Sequence, residues 1–128
     1  MRVLLDTHLL LWAVGSSRRL SRAARALILD MENEVFYSAA SVWEVAIKSA
    51  LRRKDFNADP AMLVRAFAQS GFSELPVTAA HAVRVAGLPA IHRDPFDRLL
   101  VAQSLAEPMT FLTNDATLAP YSPLVQLV

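Results

Sequence analysis

The sequence predicts an α/β fold: three layers, α/β/α, around a central parallel sheet of about five strands follow from pattern alone. Three observations carry this. Short apolar strand-like runs alternate with segments of helical period along the whole chain. Most helical segments open on a capping residue and stop at Gly or before Pro. The length, 128 residues, suits one compact domain spanning 1–128, and no repeat, low-complexity tract or linker divides it.

Each element follows in order. Arg2 to Leu5 is a buried-strand run, and Thr7 is placed to cap a helix running to about Val14, before the loop Gly15-Ser16-Ser17. Ser21 opens a second helix with Ala24, Leu27, Ile28 and Met31 on one face. Glu34 to Ser38 reads as a second strand. Ser41-Val42-Trp43-Glu44 has the form of a capping box, opening a third helix with Trp43, Ala46, Ile47, Ala50 and Leu51 along one apolar stripe. Asp59-Pro60 starts the next helix and Gly71 closes it. Phe72 to Val77 is a third strand weakened by Pro76. Thr78 caps a helix that Gly87 ends; Asp94-Pro95 starts another that Glu107-Pro108 stops. Met109 to Thr113 and Leu124 to Val128 complete the sheet.

Composition narrows the function. With 13 basic and 12 acidic residues the net charge is +1, which excludes a bulk polyelectrolyte binder. Only Lys48 and Lys54 are lysines, so arginine, which pairs bidentately with phosphate, dominates the basic set. Cysteine is absent, removing disulfide scaffolds, thiolate metal sites and cysteine nucleophiles together. Leu9 to Val14 is too short an apolar run to span a membrane, and a cytoplasmic location is expected. The 54% hydrophobic content lies slightly above the soluble norm of about 45–50%, pointing to an apolar surface covered by a partner.

On this frame the acids fall at the ends of elements. Asp6 ends the first strand, Glu44 lies early in the third helix, Asp97 follows Asp94-Pro95, and Asp115 follows the strand Phe111-Leu112-Thr113. In an open parallel sheet, ligands bind outside the carboxyl ends of the strands. Each acid alone has an ordinary structural use: Asp6 as a cap, Glu44 paired with Ser41 and Lys48, Asp97 at a helix dipole, Asp115 as a cap. Together these uses fit less well. Four charges about 5 Å apart repel by roughly 3 kcal/mol per pair, or about 20 kcal/mol over six pairs, exceeding a domain's stability of about 5–15 kcal/mol. Clustering them demands protons or cations, and all-oxygen donors favour Mg²⁺ or Mn²⁺. Such a centre suits phosphodiester hydrolysis.

The stretches Leu4-Leu5-Asp6-Thr7-His8, Ser41-Val42-Trp43-Glu44, His92-Arg93-Asp94-Pro95-Phe96-Asp97-Arg98 and Leu112-Thr113-Asn114-Asp115 resemble, in order and spacing, the PIN-domain ribonucleases. Within them they are most similar to the VapC-type toxins of type II toxin–antitoxin pairs. The resemblance covers essentially the whole chain, and Asp94 to Gln103 is its most specific piece. It implies a five-stranded parallel sheet and a Mg²⁺- or Mn²⁺-dependent endoribonuclease whose catalytic, metal-binding quartet falls on Asp6, Glu44, Asp97 and Asp115. Asp94 stands beside the third member, and sequence leaves open which of Asp94 and Asp97 ligates directly. Thr7 and Thr113 match small hydroxyl positions that serve water or a phosphate oxygen. A homodimer and a VapB-type antitoxin, its tail over the acidic groove, are the implied partners, alongside an RNA substrate.

Other residues have two readings. Arg18, Arg19, Arg22 and Arg25 form either a solvated helix face or a set of RNA-phosphate contacts, and Arg52-Arg53-Lys54 shares that ambiguity. Lys48 pairs with Glu44 or touches substrate phosphate. His8, His81 and His92 share no metal-ligand spacing and read as structural. Trp12 and Trp43 read as core, with base stacking or capture of an antitoxin side chain as the lesser alternatives. A receiver domain needs adjacent acids after the first strand and a late lysine; a dehalogenase-type phosphatase needs an acid where His8 stands. Neither fits. The surviving rival is a non-catalytic RNA- or partner-binding PIN-like module.

Overall fold

The computed structural model describes residues 1–52 and 57–128; Arg53 and Lys54 of the second basic run lie outside the described residues. Five parallel strands, β1 (Arg2–Leu5), β2 (Glu34–Ser38), β3 (Ser73–Leu75), β4 (Thr110–Thr113) and β5 (Val125–Leu127), form one sheet in the order β3-β2-β1-β4-β5. Val3 pairs with Val35 on one side and Thr110 on the other, so β1 is the central strand. The chain leaves β1 for β2 on one side and reaches β4 on the other. That reversal opens a crevice past the carboxyl ends of β1 and β4.

Alternation along β1 divides the core in two. Val3 and Leu5 pack with Leu9, Leu10, Leu20, Ala24, Phe67 and Leu112, under α1 (Thr7–Val14), α2 (Arg22–Leu29) and α4 (Pro60–Gln69). Leu4 points the other way, to Leu100, Val101, Phe111 and Leu118, under α6 (Pro95–Ala106) and the 3₁₀ helix Ala116–Tyr121. Among the described residues the remaining helices are α3 (Ala39–Ala50) and α5 (Ala79–Val85). Helices therefore cover both faces, the three-layer α/β/α arrangement the alternation predicts. Among the described residues no helix is long and apolar enough to cross a membrane.

Several local expectations hold. Ser21, Asp59, Thr78 and Asp94 cap the helices they precede, with Pro60 and Pro95 in the first turns of theirs. Gly71, at φ +80°, turns the chain after α4 in a conformation that disfavours a side chain. Others are corrected. The cap of α1 is Asp6, whose carboxylate accepts from the His8 amide, so Thr7 is the first helical residue. Met31 lies beyond the end of α2 and is 98% exposed. β3 stops at Leu75, directly before Pro76, which has no N–H to donate.

The third helix differs most. β2 runs straight into α3, and Ser38 caps it by accepting from Ala40, leaving Ser41 and Glu44 inside the helix rather than in a capping box. The stripe α3 buries is Ala40, Ser41, Glu44 and Val45. The apolar stripe runs the other way: Trp43, Ala46, Ala50 and Leu51 are exposed.

Candidate metal centre

All four acids come together. A hollow of about 390 Å³ beyond the ends of β1 and β4 is lined by Asp6, Glu44, Asp97 and Asp115, with Asp94, Lys48, Arg19, His8, Trp12 and Asn114 completing its walls. The fold delivers each acid by a different local device. Asp6 is buried at the junction of β1 and α1; its Oδ1 accepts from the His8 amide at 2.8 Å and its Oδ2 from Thr113 Oγ1 at 2.8 Å. Thr113 ends the neighbouring strand β4 and also accepts the Asp115 amide at 3.0 Å, tying two of the acids to one hydroxyl. Glu44 is buried on α3, where its Oε1 accepts from Thr7 Oγ1 at 2.7 Å and its Oε2 accepts from Lys48 Nζ at 2.5 Å. Ser41 Oγ lies 2.8 Å from the same Thr7 hydroxyl.

Asp94 caps α6 through Oδ1, accepting from the amides of Phe96 at 2.8 Å and Asp97 at 3.2 Å, while its Oδ2 lies 3.6 Å from Lys48 Nζ. Asp97 follows in the first turn of α6. Asp115 caps the 3₁₀ helix, its Oδ1 accepting from Thr117 N at 3.0 Å and Thr117 Oγ1 at 2.6 Å. Thr7 and Thr113 thus hold Glu44 and Asp6 in place with their hydroxyls. Of the four arginines, Arg19 alone lines this hollow; Arg25 lines a different one with Leu20, Ile28 and Phe72, and Arg18 and Arg22 are exposed.

The electrostatics are those of an anionic pocket short of positive charge. Burial, then the charges of Asp6, Asp94, Glu44 and Asp115, push Asp97 up to about 8. Burial likewise raises Asp6, outweighing its hydrogen bonds from Thr113 and His8. Asp115 moves the other way: burial opposes the shift, but bonds from Thr117 and the neighbouring His92 hold it below the usual carboxylate range. Burial pulls Lys48 down, yet its bond to Glu44 and the charges of Glu44, Asp94 and Asp97 raise it on balance. Burial first, and then the surrounding carboxylates, make a charged Asp97 costly here unless a cation offsets it. The oxygen donors of the hollow fit a hard divalent ion such as Mg²⁺ or Mn²⁺.

His92 belongs to this centre, although its sequence spacing points to a structural role. Its Nε2 lies 3.3 Å from Asp115 Oδ2 and 3.8 Å from Asp97 Oδ2. Donor atoms of His92, Asp97 and Asp115 all fall within 4.8 Å of one another, a grouping able to hold a metal ion. Its Nδ1 accepts the Asp94 amide at 3.1 Å, which leaves Nε2 as the ring nitrogen facing the carboxylates. The signal was positional rather than periodic: His92 precedes the cap of the helix that carries Asp97. The other histidines separate. His8 lines the hollow, whereas His81 is buried elsewhere, its Nδ1 accepting the Thr78 amide and its Nε2 bonded to Glu107. Trp12 packs on the core and lines the hollow, but Trp43 is 59% exposed, edge-on to Phe96 with ring centres 5.2 Å apart. The expectation that Trp43 is core is corrected accordingly.

Comparison with known proteins bears on the family and the fold. Residues 3–121 match the PIN domain family. Curated protein sequences provide no match. Among solved structures, the fold is similar to a chain in the crystal structure of VapBC2 from Rickettsia felis bound to a DNA fragment from their promoter. The TM-score is 0.70 at 16% identity, covering 100% of this chain and 98% of that one. By a family match across nearly its whole length, and by the sheet that gathers its acids, the chain belongs to the PIN domain family.

Proposed function

We propose that the protein is a Mg²⁺- or Mn²⁺-dependent endoribonuclease of the VapC type, the toxin of a toxin–antitoxin pair, with residues 1–128 acting as one PIN-like nuclease domain. The observation that carries this reading is the convergence of Asp6, Glu44, Asp97 and Asp115 on one hollow, with Asp97 pushed up to about 8 by burial and then by its neighbours' charges. The structural likeness to a VapBC2 chain supports a VapB-type antitoxin as partner. A homodimer and a cytoplasmic location complete the proposal.

In this reading Asp6, Glu44, Asp97 and Asp115 would hold the ion, with His92 beside Asp97 and Asp115. When bound there, the ion supplies activation of a water and stabilisation of the leaving oxygen in phosphodiester hydrolysis. The remaining steps belong to the chain. Thr113 and Thr7 orient Asp6 and Glu44. Asp94, with one oxygen committed to two helix amides, fixes the first turn of α6, and Asp97 is the ligand of that pair. Nε2 of His92 donates towards Asp115 and steadies its carboxylate. Arg19, on the wall of the hollow, offers a guanidinium to the phosphate of an approaching strand. Cleavage of total cellular RNA with Mn²⁺ or Mg²⁺, against EDTA and against Asp6→Ala, is the test. Metal-dependent cutting lost in the variant supports the enzyme. RNA binding without cutting in either protein returns the non-catalytic binding module.

A further inference from the structure

The hollow that gathers five carboxylates, counting Asp94, also holds an ammonium group. Lys48 Nζ lies 2.5 Å from Glu44 Oε2 and 3.6 Å from Asp94 Oδ2, and its side chain is only 14% exposed. It therefore bridges α3 to the cap of α6 across the wall of the candidate centre. We propose that Lys48 is a built-in counter-ion, occupying the place of a divalent cation in the metal-free protein and giving up Glu44 when the ion enters. This rests on the metal-dependent reading above and deepens it: the ion's affinity is set partly by the lysine it displaces.

Three features point the same way. Both oxygens of buried Glu44 are engaged, Oε1 by Thr7 and Oε2 by Lys48, and Thr7 is itself held against Ser41. An ion that draws on Oε2 meets the lysine as its direct competitor. Next, the exchangeable contact falls to the right side chain. The chain has only two lysines against eleven arginines, and one of the two stands here. An ammonium on a flexible four-carbon stem can swing away without disturbing the backbone, whereas a guanidinium would grip the carboxylate with two parallel bonds. Finally, a neighbouring seat exists: Nζ lies 5.6 Å from the centre of the Phe96 ring, whose face attracts a cation leaving Glu44.

The test compares wild type, Lys48→Met and Lys48→Gln, each stripped of metal, by calorimetric Mn²⁺ titration at constant ionic strength and by melting with and without Mn²⁺. Both variants are expected to melt below wild type without the ion, because Glu44 then loses its cation. Both are expected to bind Mn²⁺ about tenfold or more tightly, since one competing charge is gone. Saturating Mn²⁺ closes the gap in melting temperature. Variants that fold only with Mn²⁺ show the same exchange in its extreme form. Unchanged or weaker affinity in both variants overturns the proposal and makes Lys48 a residue that positions Glu44 for the ion; so does failure of both to fold even with Mn²⁺. If wild type itself takes up no Mn²⁺, the nuclease reading fails as well, whereas wild-type binding with unaltered variants removes this inference alone.

Discussion

Asp97 is where the cost of clustering acids is concentrated. In the folded, metal-free chain it is pushed from 3.8 to about 8. Between those values the folded state keeps a proton that the unfolded chain has released. Its contribution to stability is therefore full below the unfolded value and is lost as pH rises towards 8. Asp6, also raised, adds to that slope with the same sign. Asp115, lowered, contributes stability above 3.8 that is lost only in stronger acid, outside this window. The metal-free protein should accordingly melt lower at pH 8 than at pH 5. Asp97→Asn should flatten that slope and raise the melting temperature at pH 8 by roughly 5–10 °C while abolishing cleavage. A variant that melts lower at both pH values would make Asp97 a structural helix residue instead. Thr113→Val, which removes the hydroxyl shared by Asp6 and the Asp115 amide, should weaken Mn²⁺ binding about 10- to 100-fold by titration, with the fold retained by circular dichroism.

Elements show what the sequence could and could not specify. Strand and helix alternation, the Asp-Pro starts and the Thr78 cap are local signals, and they were legible because short-range sterics and capping bonds decide them. The orientation of α3 was not. Its period marks a helix with two stripes, one apolar through Trp43, Ala46 and Ala50 and one polar through Ser41, Glu44 and Lys48. Burial of the polar stripe is decided by Thr7, on another helix, which donates to Glu44. His92 was missed for the same reason, since its relation to Asp97 and Asp115 is tertiary. Capping also makes α6 testable: Asp94→Ala should cost about 1 kcal/mol by denaturant melts, whereas Asp94→Asn, which can still accept the amide bonds, should cost less. Arginine placement separates a second pair of outcomes. Arg19→Gln should raise KM for RNA and lower its salt dependence, while Arg25→Gln, away from the hollow, should change neither. Equal effects would restore the whole basic cluster to substrate contact.

At the scale of the molecule, topology does most to build the centre. Placing β1 between β2 and β4 brings Asp6 beside Thr113 and Asp115, although they lie more than a hundred positions apart in the chain. The helices that follow β2 and precede β4 then supply Glu44 and Asp97. Among the described residues the acids that meet in the hollow come from separate segments, and the sheet order brings them together. The central claim is that these acids grip a divalent ion. Crystals grown with Mn²⁺ and measured at its absorption edge test this most directly. The expected result is an anomalous peak in the hollow, at ligand distance from oxygens of Asp6 and Asp97. Saturating Mn²⁺ with no peak among those carboxylates would contradict it.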